Sequence, residues 1–115
     1  MEQDCIFCKI ARHEISSQIV LEDEDVVAFK DLKPVAPVHI LIIPKEHISG
    51  VMAITEENGG ILEKILLAGK KLASENGIDK TGFRMVVNHG REAGQSVFHL
   101  HFHLLGGRAL DWPPG

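Results

Sequence analysis

The stretch His99-Leu100-His101-Phe102-His103-Leu104-Leu105 decides the reading of this chain, because three imidazoles alternate with large apolar side chains in strict period two. Alternation of this kind is a strand signature. Successive side chains point to opposite faces, so the histidines share one face and Leu100, Phe102 and Leu104 share the other. At ~3.3 Å rise per residue, like-facing neighbours sit roughly 6.6 Å apart, close enough for the rings to surround one phosphate-sized group. A helix would scatter them around its axis. A lone histidine beside apolar residues is usually a hydrogen-bonded structural residue, but three in register point to a metal site or to nucleophilic and acid–base catalysis.

Working outward, Gly90-Arg91-Glu92-Ala93-Gly94-Gln95-Ser96 leads into the histidines through Val97-Phe98. Glycines, backbone amides and a serine hydroxyl suit close approach to an anion, so this loop is a candidate oxyanion cradle beside the three rings. Upstream, residues 83–88 read as a strand ending in Asn88-His89-Gly90, with His89 a solvated loop residue. Residues 55–76 read as an amphipathic helix capped by Thr55, with Ile61, Leu62, Ile65, Leu66, Ala68, Leu72 and Ala73 at helical spacing and Asn76-Gly77 as the stop. Gly59, Gly60 and Gly69 weaken it. Val38-His39-Ile40-Leu41-Ile42-Ile43 is apolar enough for a strand covered on both faces, which forces His39 to find a hydrogen bond or a polar pocket.

Residues 18–22 and 26–31 read as a hairpin around the acidic turn Glu22-Asp23-Glu24-Asp25, with Asp31 closing the second strand before Pro34 and Pro37. The strands are therefore 18–22, 26–31, 38–43, 83–88 and 97–105. Cys5-Ile6-Phe7-Cys8-Lys9-Ile10 reads as a metal knuckle running into a short helix. A thioredoxin-like redox motif would need a strand before the first cysteine, which the preceding polar residues do not supply, and buried inert thiols are the other reading. Gly106 to Gly115 is irregular, and its tryptophan and paired prolines predict an extension packed on the body or on a second subunit.

With 115 residues, 44% hydrophobic and 24% charged, the chain is expected to form one soluble globular domain over 1–115, residues 106–115 being its extension. A formal net charge of −4 disfavours a nucleic-acid partner held by its backbone, while a pocket for one nucleotide stays open. The start Met1-Glu2-Gln3-Asp4 lacks the pattern of a secretory signal, and no apolar run is long enough to span a bilayer. The expectation is a cytoplasmic protein with no membrane partner, whose cysteines stay reduced.

Taken together, these residues resemble the histidine triad (HIT) family, in particular its Hint-type branch of purine nucleoside phosphoramidases. The carriers are Cys5 to Ile10, Val26 to Asp31, Pro37 to Ile48, Asn88 with Gly94-Gln95-Ser96-Val97, the three histidines, and Trp112-Pro113-Pro114-Gly115, which narrows the branch. The resemblance implies an α+β fold, with a curved antiparallel sheet of about five strands, one long helix and a short N-terminal helix. It also implies a homodimer whose sheets become continuous, with the tail reaching toward the partner's site.

By the family's pattern His101 is the nucleophile, attacking the α-phosphorus of a purine (AMP- or GMP-type) nucleoside phosphoramidate and leaving a nucleotidyl-histidine for water to hydrolyse. His103 contacts the phosphoryl oxygens or leaving group. Asn88, Ser96 and the amides around Gly94 and Gln95 stabilise phosphoryl charge, while His39 and His99 complete the hydrogen-bonded chain. Asp31 matches the ribose contact, and Phe7, Ile10, Phe29 and Leu41 line the base. Members with the paired cysteines resemble a closed structural zinc site, here Cys5, Cys8, His47 and His99, with no metal required for the chemistry. Rival readings are a dinucleoside polyphosphate hydrolase or nucleotidyl transferase of the same family, a metallohydrolase with an open three-histidine zinc, and a nucleotide-binding scaffold protein.

Overall fold

The computed structural model describes residues 4–115; the acidic start Met1-Glu2-Gln3 lies outside the described residues. Its centre is β3 (Val38–Pro44), whose near-continuous apolar run is buried along almost its whole length. β3 pairs antiparallel with β2 (Val26–Lys30) on one side and with β5 (Phe102–Gly106) on the other. β1 (Ile19–Glu22) and β4 (Phe83–Val87) form the edges, giving the order β1-β2-β3-β5-β4 with every pairing antiparallel.

Period two divides the apolar residues between two layers. Val26, Ala28, Ile40, Ile42 and Leu104 face α2 (Gly60–Glu75), which buries Ile65, Ala68, Leu72 and Ala73 against them. Val27, Phe29, Leu41 and Ile43 form a second cluster with Phe7 and Ile10 of α1 (Ile6–Ala11). His39, Leu41 and Ile43 alternate with Ile40 and Ile42, so His39 shares the α1 side of the sheet. Leu41 sits opposite His103 in the β3–β5 register, which puts His103 on that side too.

The first, second and fourth expected strands are present with one end trimmed, the third runs one residue further to Pro44, and the last differs most. The ladder of β5 begins at Phe102, so only His103 of the three histidines is a paired strand residue. Val87 is the last β4 residue in the pairing and sits opposite Phe102, after which the β4 chain turns at Asn88-His89-Gly90 and offers no further partner. Residues preceding the ladder are held differently: the Leu100 N–H donates to Ile48 O at 2.6 Å.

The long helix also begins later than its apolar periodicity suggests. Thr55 Oγ1 accepts from the N–H groups of Glu57 and Asn58, and Asn58 Oδ1 accepts from the Thr55 N–H at 2.6 Å. This reciprocal cap closes a turn, and regular helix starts only at Gly60, consistent with the poor helix propensity of Gly59-Gly60. Gly69 lies against the sheet because a Cβ there would meet Met85 Sδ at 2.7 Å.

A short helix not anticipated from the sequence, α3 (Ile78–Thr81), buries Ile78 against Gly106 of β5. A Cβ at Gly106 would come within 2.6 Å of Ile78 Cδ1 and 3.1 Å of its Cβ. Gly106→Ala is expected to lower unfolding free energy by about 1–3 kcal/mol through overpacking. Urea denaturation checks this, and an unchanged midpoint would contradict the packing. The tail is tied to the body by Arg108 Nε, which donates to Val35 O at 2.9 Å, and by Arg84, which donates to Asp111 O at 3.0 Å; beyond these ties Trp112 is exposed. No helix among the described residues is long and apolar enough to cross a membrane.

Candidate active site and metal-binding cluster

His39 resolves its burial by hydrogen bonding at both ring nitrogens. The Val35 N–H donates to Nδ1 at 3.1 Å, so in the neutral ring the proton is on Nε2. Nε2–H then donates to Nδ1 of His103 at 2.9 Å, with Asp31 Oδ2 3.4 Å from the same nitrogen. His103, accepting at Nδ1, carries its own proton on Nε2. A backbone amide of the 31–37 turn thereby sets two tautomers in sequence.

His101 is set in the opposite sense. Its Nδ1–H donates to the carbonyl of His99 at 2.7 Å, so the lone pair lies on Nε2. Its ring centroid is 5.2 Å from that of His103 and 5.1 Å from that of Phe7, which meets it edge-on. The site therefore presents a lone-pair nitrogen and an N–H donor from neighbouring rings.

Burial pushes the His103 imidazole down to about 4, helped by His101 and His39 and opposed by Asp31. Burial likewise lowers His39, again against Asp31. Both rings are neutral at pH 7, so His103 serves as a hydrogen-bond donor rather than a cationic acid. The sign for stability follows from linkage. The unfolded chain takes up protons near ~6.5 while folded His103 resists until about 4. Stability is thus complete above pH ~6.5 and falls from there toward pH 4, by about 2 kcal/mol for His103 after discounting its partial exposure. Denaturation midpoints measured across that window should decline, with a shallower decline in His103→Gln; equal slopes would remove this assignment.

A second cluster lies directly beside the first. The ligand atoms of Cys5, Cys8, His47 and His99 all lie within 4.8 Å of one another. Nδ1 of His99 is 3.3 Å from Cys5 Sγ and 3.5 Å from Cys8 Sγ, and Nδ1 of His47 is 3.3 Å from Cys8 Sγ. Zinc at ~2.3 Å from sulfur and ~2.0 Å from nitrogen in a tetrahedron sets S···N separations of roughly 3.5 Å, so the donor set fits that ion. Nε2–H of His99 donates to Pro44 O at 2.8 Å, directing the Nδ1 lone pair at the sulfurs as an orienting partner does in metal sites. Burial pushes His99 down to about 4 against the opposing Pro44 bond, so the ring is neutral as ligation requires.

The remaining site residues fall unevenly. Phe7, Ile10, Phe29 and Leu41 do form one cluster, with Phe7 and Phe29 edge-to-face at 5.5 Å, but all are buried. They are a wall of the site more than an open lining. Asp31 also caps a turn, its Oδ1 accepting from the Lys33 N–H at 2.8 Å. Ser96 is exposed and lies with Cys5, His47, Ser49 and Val97 around one surface cavity; Asn88 is half-buried at the end of β4.

Two of the amides expected in the Gly94–Ser96 oxyanion cradle already have partners. The Gly94 N–H donates to Arg91 O and the Gln95 N–H to Gly90 O, so both amides are committed within the loop. The Gln95 side chain is a brace, accepting from the Gly90 N–H and donating to Ser49 O and Val97 O. Sequence reasoning missed that brace, the Val35 and Pro44 backbone partners and the Phe7–His101 contact. The signal for the brace was a long amide side chain in a glycine loop; the backbone partners left none.

A five-stranded antiparallel sheet carrying alternating histidines beside a two-cysteine, two-histidine cluster is a histidine-triad architecture. A family model described as "Scavenger mRNA decapping enzyme C-term binding" matches residues 4–109. An uncharacterized HIT-like protein of Synechocystis sp. is 50% identical over 115 residues, covering all of both chains. A 14 kDa zinc-binding protein of Brassica juncea is 46% identical over 97% of this chain and its own entire length. Among solved structures, a HIT family hydrolase from Legionella pneumophila superposes with a TM-score of 0.95 at 46% identity, over 97% of this chain and 100% of that one. The chain belongs to the histidine triad family.

Proposed function

We propose that the protein hydrolyses purine nucleoside 5′-phosphoramidates through a nucleotidyl-histidine formed on His101. The observation that carries this reading is the bond from His101 Nδ1–H to His99 O, which leaves Nε2 as the attacking lone pair. Nε2 attacks the α-phosphorus and forms an N–P bond as the P–N bond to the amine breaks, the amine leaving with a proton from solvent. Water then cleaves the phospho-imidazole bond, releasing the nucleotide and restoring His101. His103, with its proton held on Nε2, stabilises the phosphoryl oxygens, aided by Ser96 and Asn88. Asp31 accepts from the ribose hydroxyls, and Phe7, Ile10, Phe29 and Leu41 back the base.

Cys5, Cys8, His47 and His99 hold a zinc ion, supported by the fit of the donors and by the zinc-binding relative. A closed four-ligand zinc contributes folding energy and takes no part in bond making. This separates the reading from an open zinc on His99, His101 and His103, since His99 directs Nδ1 at Cys5 and Cys8 and spends Nε2 on Pro44 O, leaving no nitrogen for an ion held by the other two rings. The protein acts as a cytoplasmic homodimer with the exposed Trp112 turned to its partner.

Rates measured side by side on adenosine 5′-phosphoramidate and a diadenosine polyphosphate test the substrate class. The phosphoramidate is expected to be preferred by about a hundredfold or more in kcat/KM, or ~2.7 kcal/mol. The reverse order would favour the polyphosphate reading, and no turnover of either would favour a scaffold.

A further inference from the structure

The metal cluster and the nucleophile share a residue. His99 points its ring at Cys5 and Cys8 while its backbone carbonyl accepts from Nδ1 of His101 at 2.7 Å. They also share an element: α1 begins directly after Cys5, carries Cys8, and between them places Phe7, whose ring lies edge-on to His99 at 5.9 Å and to His101 at 5.1 Å. Cys5 Sγ additionally accepts from the Cys8 N–H at the start of that short helix. Neither His99 nor His101 belongs to the β5 ladder; the peptide that carries the His99 carbonyl is held instead through its Leu100 N–H, which donates to O of Ile48, the residue after the donor His47, at 2.6 Å.

From this we infer that the four-donor site positions the catalytic histidine: ligation through Cys5, Cys8 and His99 fixes the His99 carbonyl and the Phe7 ring, and these two contacts hold His101 in its Nδ1–H tautomer with Nε2 presented to substrate. Phe7 and His99 are positioning residues for His101. The physical basis is local. A six-residue helix is too short to persist on its own, so α1 depends on its anchors. The two anchors are the apolar cluster of Phe7 and Ile10 and the thiols on the ion. With the ion removed, the thiols meet His47 and His99 through weak S···N contacts, and the 97–101 segment relies on the bonds from His99 Nε2–H to Pro44 O and from the Leu100 N–H to Ile48 O in place of a strand ladder. Imidazole tautomers differ little in intrinsic energy, so losing the carbonyl contact lets the proton sample Nε2, where it blocks attack. This inference concerns the arrangement of His101 and rests on the proposed function only for its kinetic readout.

The test uses full-length protein in zinc-loaded and chelator-stripped forms, with Phe7→Ala and the size-conserving Phe7→Leu each loaded with zinc. Long-range proton–nitrogen NMR of the histidine rings, with the His101 signals assigned by difference against His101→Gln, reports which nitrogen bears the proton. Turnover of adenosine 5′-phosphoramidate is followed in parallel. Loaded wild type should show two widely separated His101 nitrogen frequencies, the protonated one being Nδ1. In the stripped protein these should move toward the averaged values of an unrestrained ring, with kcat down about tenfold and KM changed less. Loaded Phe7→Ala should move the same way while retaining its zinc, and Phe7→Leu should recover part of both.

Unchanged His101 frequencies and kcat in folded, stripped wild type and in loaded Phe7→Ala would overturn the inference. Should stripping unfold the chain, loaded Phe7→Ala alone decides by the same criterion. The nitrogen frequencies need no substrate. Failure of the phosphoramidate to turn over therefore defeats the proposed function, while the spectra still decide this inference.

Discussion

Replacing His101 with alanine should lower kcat/KM for an adenosine phosphoramidate by about 10³-fold or more, because the attacking nitrogen is removed outright and no neighbouring ring is placed to substitute. His103 has its Nδ1 engaged by His39 and its Nε2 protonated, and His99 has Nε2 bonded to Pro44 O and Nδ1 directed at two thiols. The fold should survive. His101 is buried, but its hydrogen bond is to a carbonyl two residues away, so its loss costs packing against Phe7 more than any long-range network. Circular dichroism like that of wild type together with lost turnover is the expected pair of results. Wild-type turnover in His101→Ala would exclude covalent catalysis by this residue.

Cys8→Ala should have the largest effect on stability. Cys8 is buried and contacts both His47 and His99, so its removal leaves the cluster without a central thiolate. Metal binding that occurs only in the folded state adds its binding free energy to folding. The variant is expected to retain little zinc after purification without chelator and to melt at least about 10 °C lower. Chelator should lower the melting temperature of wild type toward that of the variant and leave the variant unmoved. Wild type that melts identically with and without chelator would remove the metal from the account.

The contrast between these variants follows the division of labour along one short segment. His99 joins the cysteine–histidine cluster, His101 stands beside His103 with its Nε2 lone pair free, and His103 carries the N–H donor. Period two predicted that the rings would share a face, and Phe7 does meet both His99 and His101 edge-on, although the chain bends over residues 97–99 and joins the ladder only at Phe102. The expectation was incomplete because pairing depends on what the neighbouring strands do. β4 ends opposite Phe102, and nothing in residues 97–101 announces it.

The central strand was legible for a similar physical reason. Val38 to Ile43 has no polar residue except His39, so only a strand covered on both faces accommodates it, and His39 had to find partners. The clustering of Cys5, Cys8, His47 and His99 was accessible through family resemblance alone, since residues separated by 94 positions leave no local pattern. Backbone partners were illegible by nature: Pro44 O, Val35 N–H and the His99 carbonyl belong to every peptide unit and carry no side-chain signal. Gly69 read as a weak point in the helix and Gly106 as the start of the irregular tail, yet Gly106 ends β5 and the structure gives each glycine a neighbour that fills the space of a side chain. The resemblance placed Phe7 among the residues lining the base; its edge contact with His101 was not legible.

The central claim is that His101 Nε2 forms a covalent bond to phosphorus, and acid-quenched mass spectrometry after brief mixing with adenosine 5′-phosphoramidate tests it most directly. The account predicts an adenylyl adduct on the intact chain, stable to base and labile to acid on longer standing, mapped by fragmentation to His101 and missing from His101→Ala. Rapid turnover with no adduct at any quench time, or an adduct mapped to another residue, would contradict it.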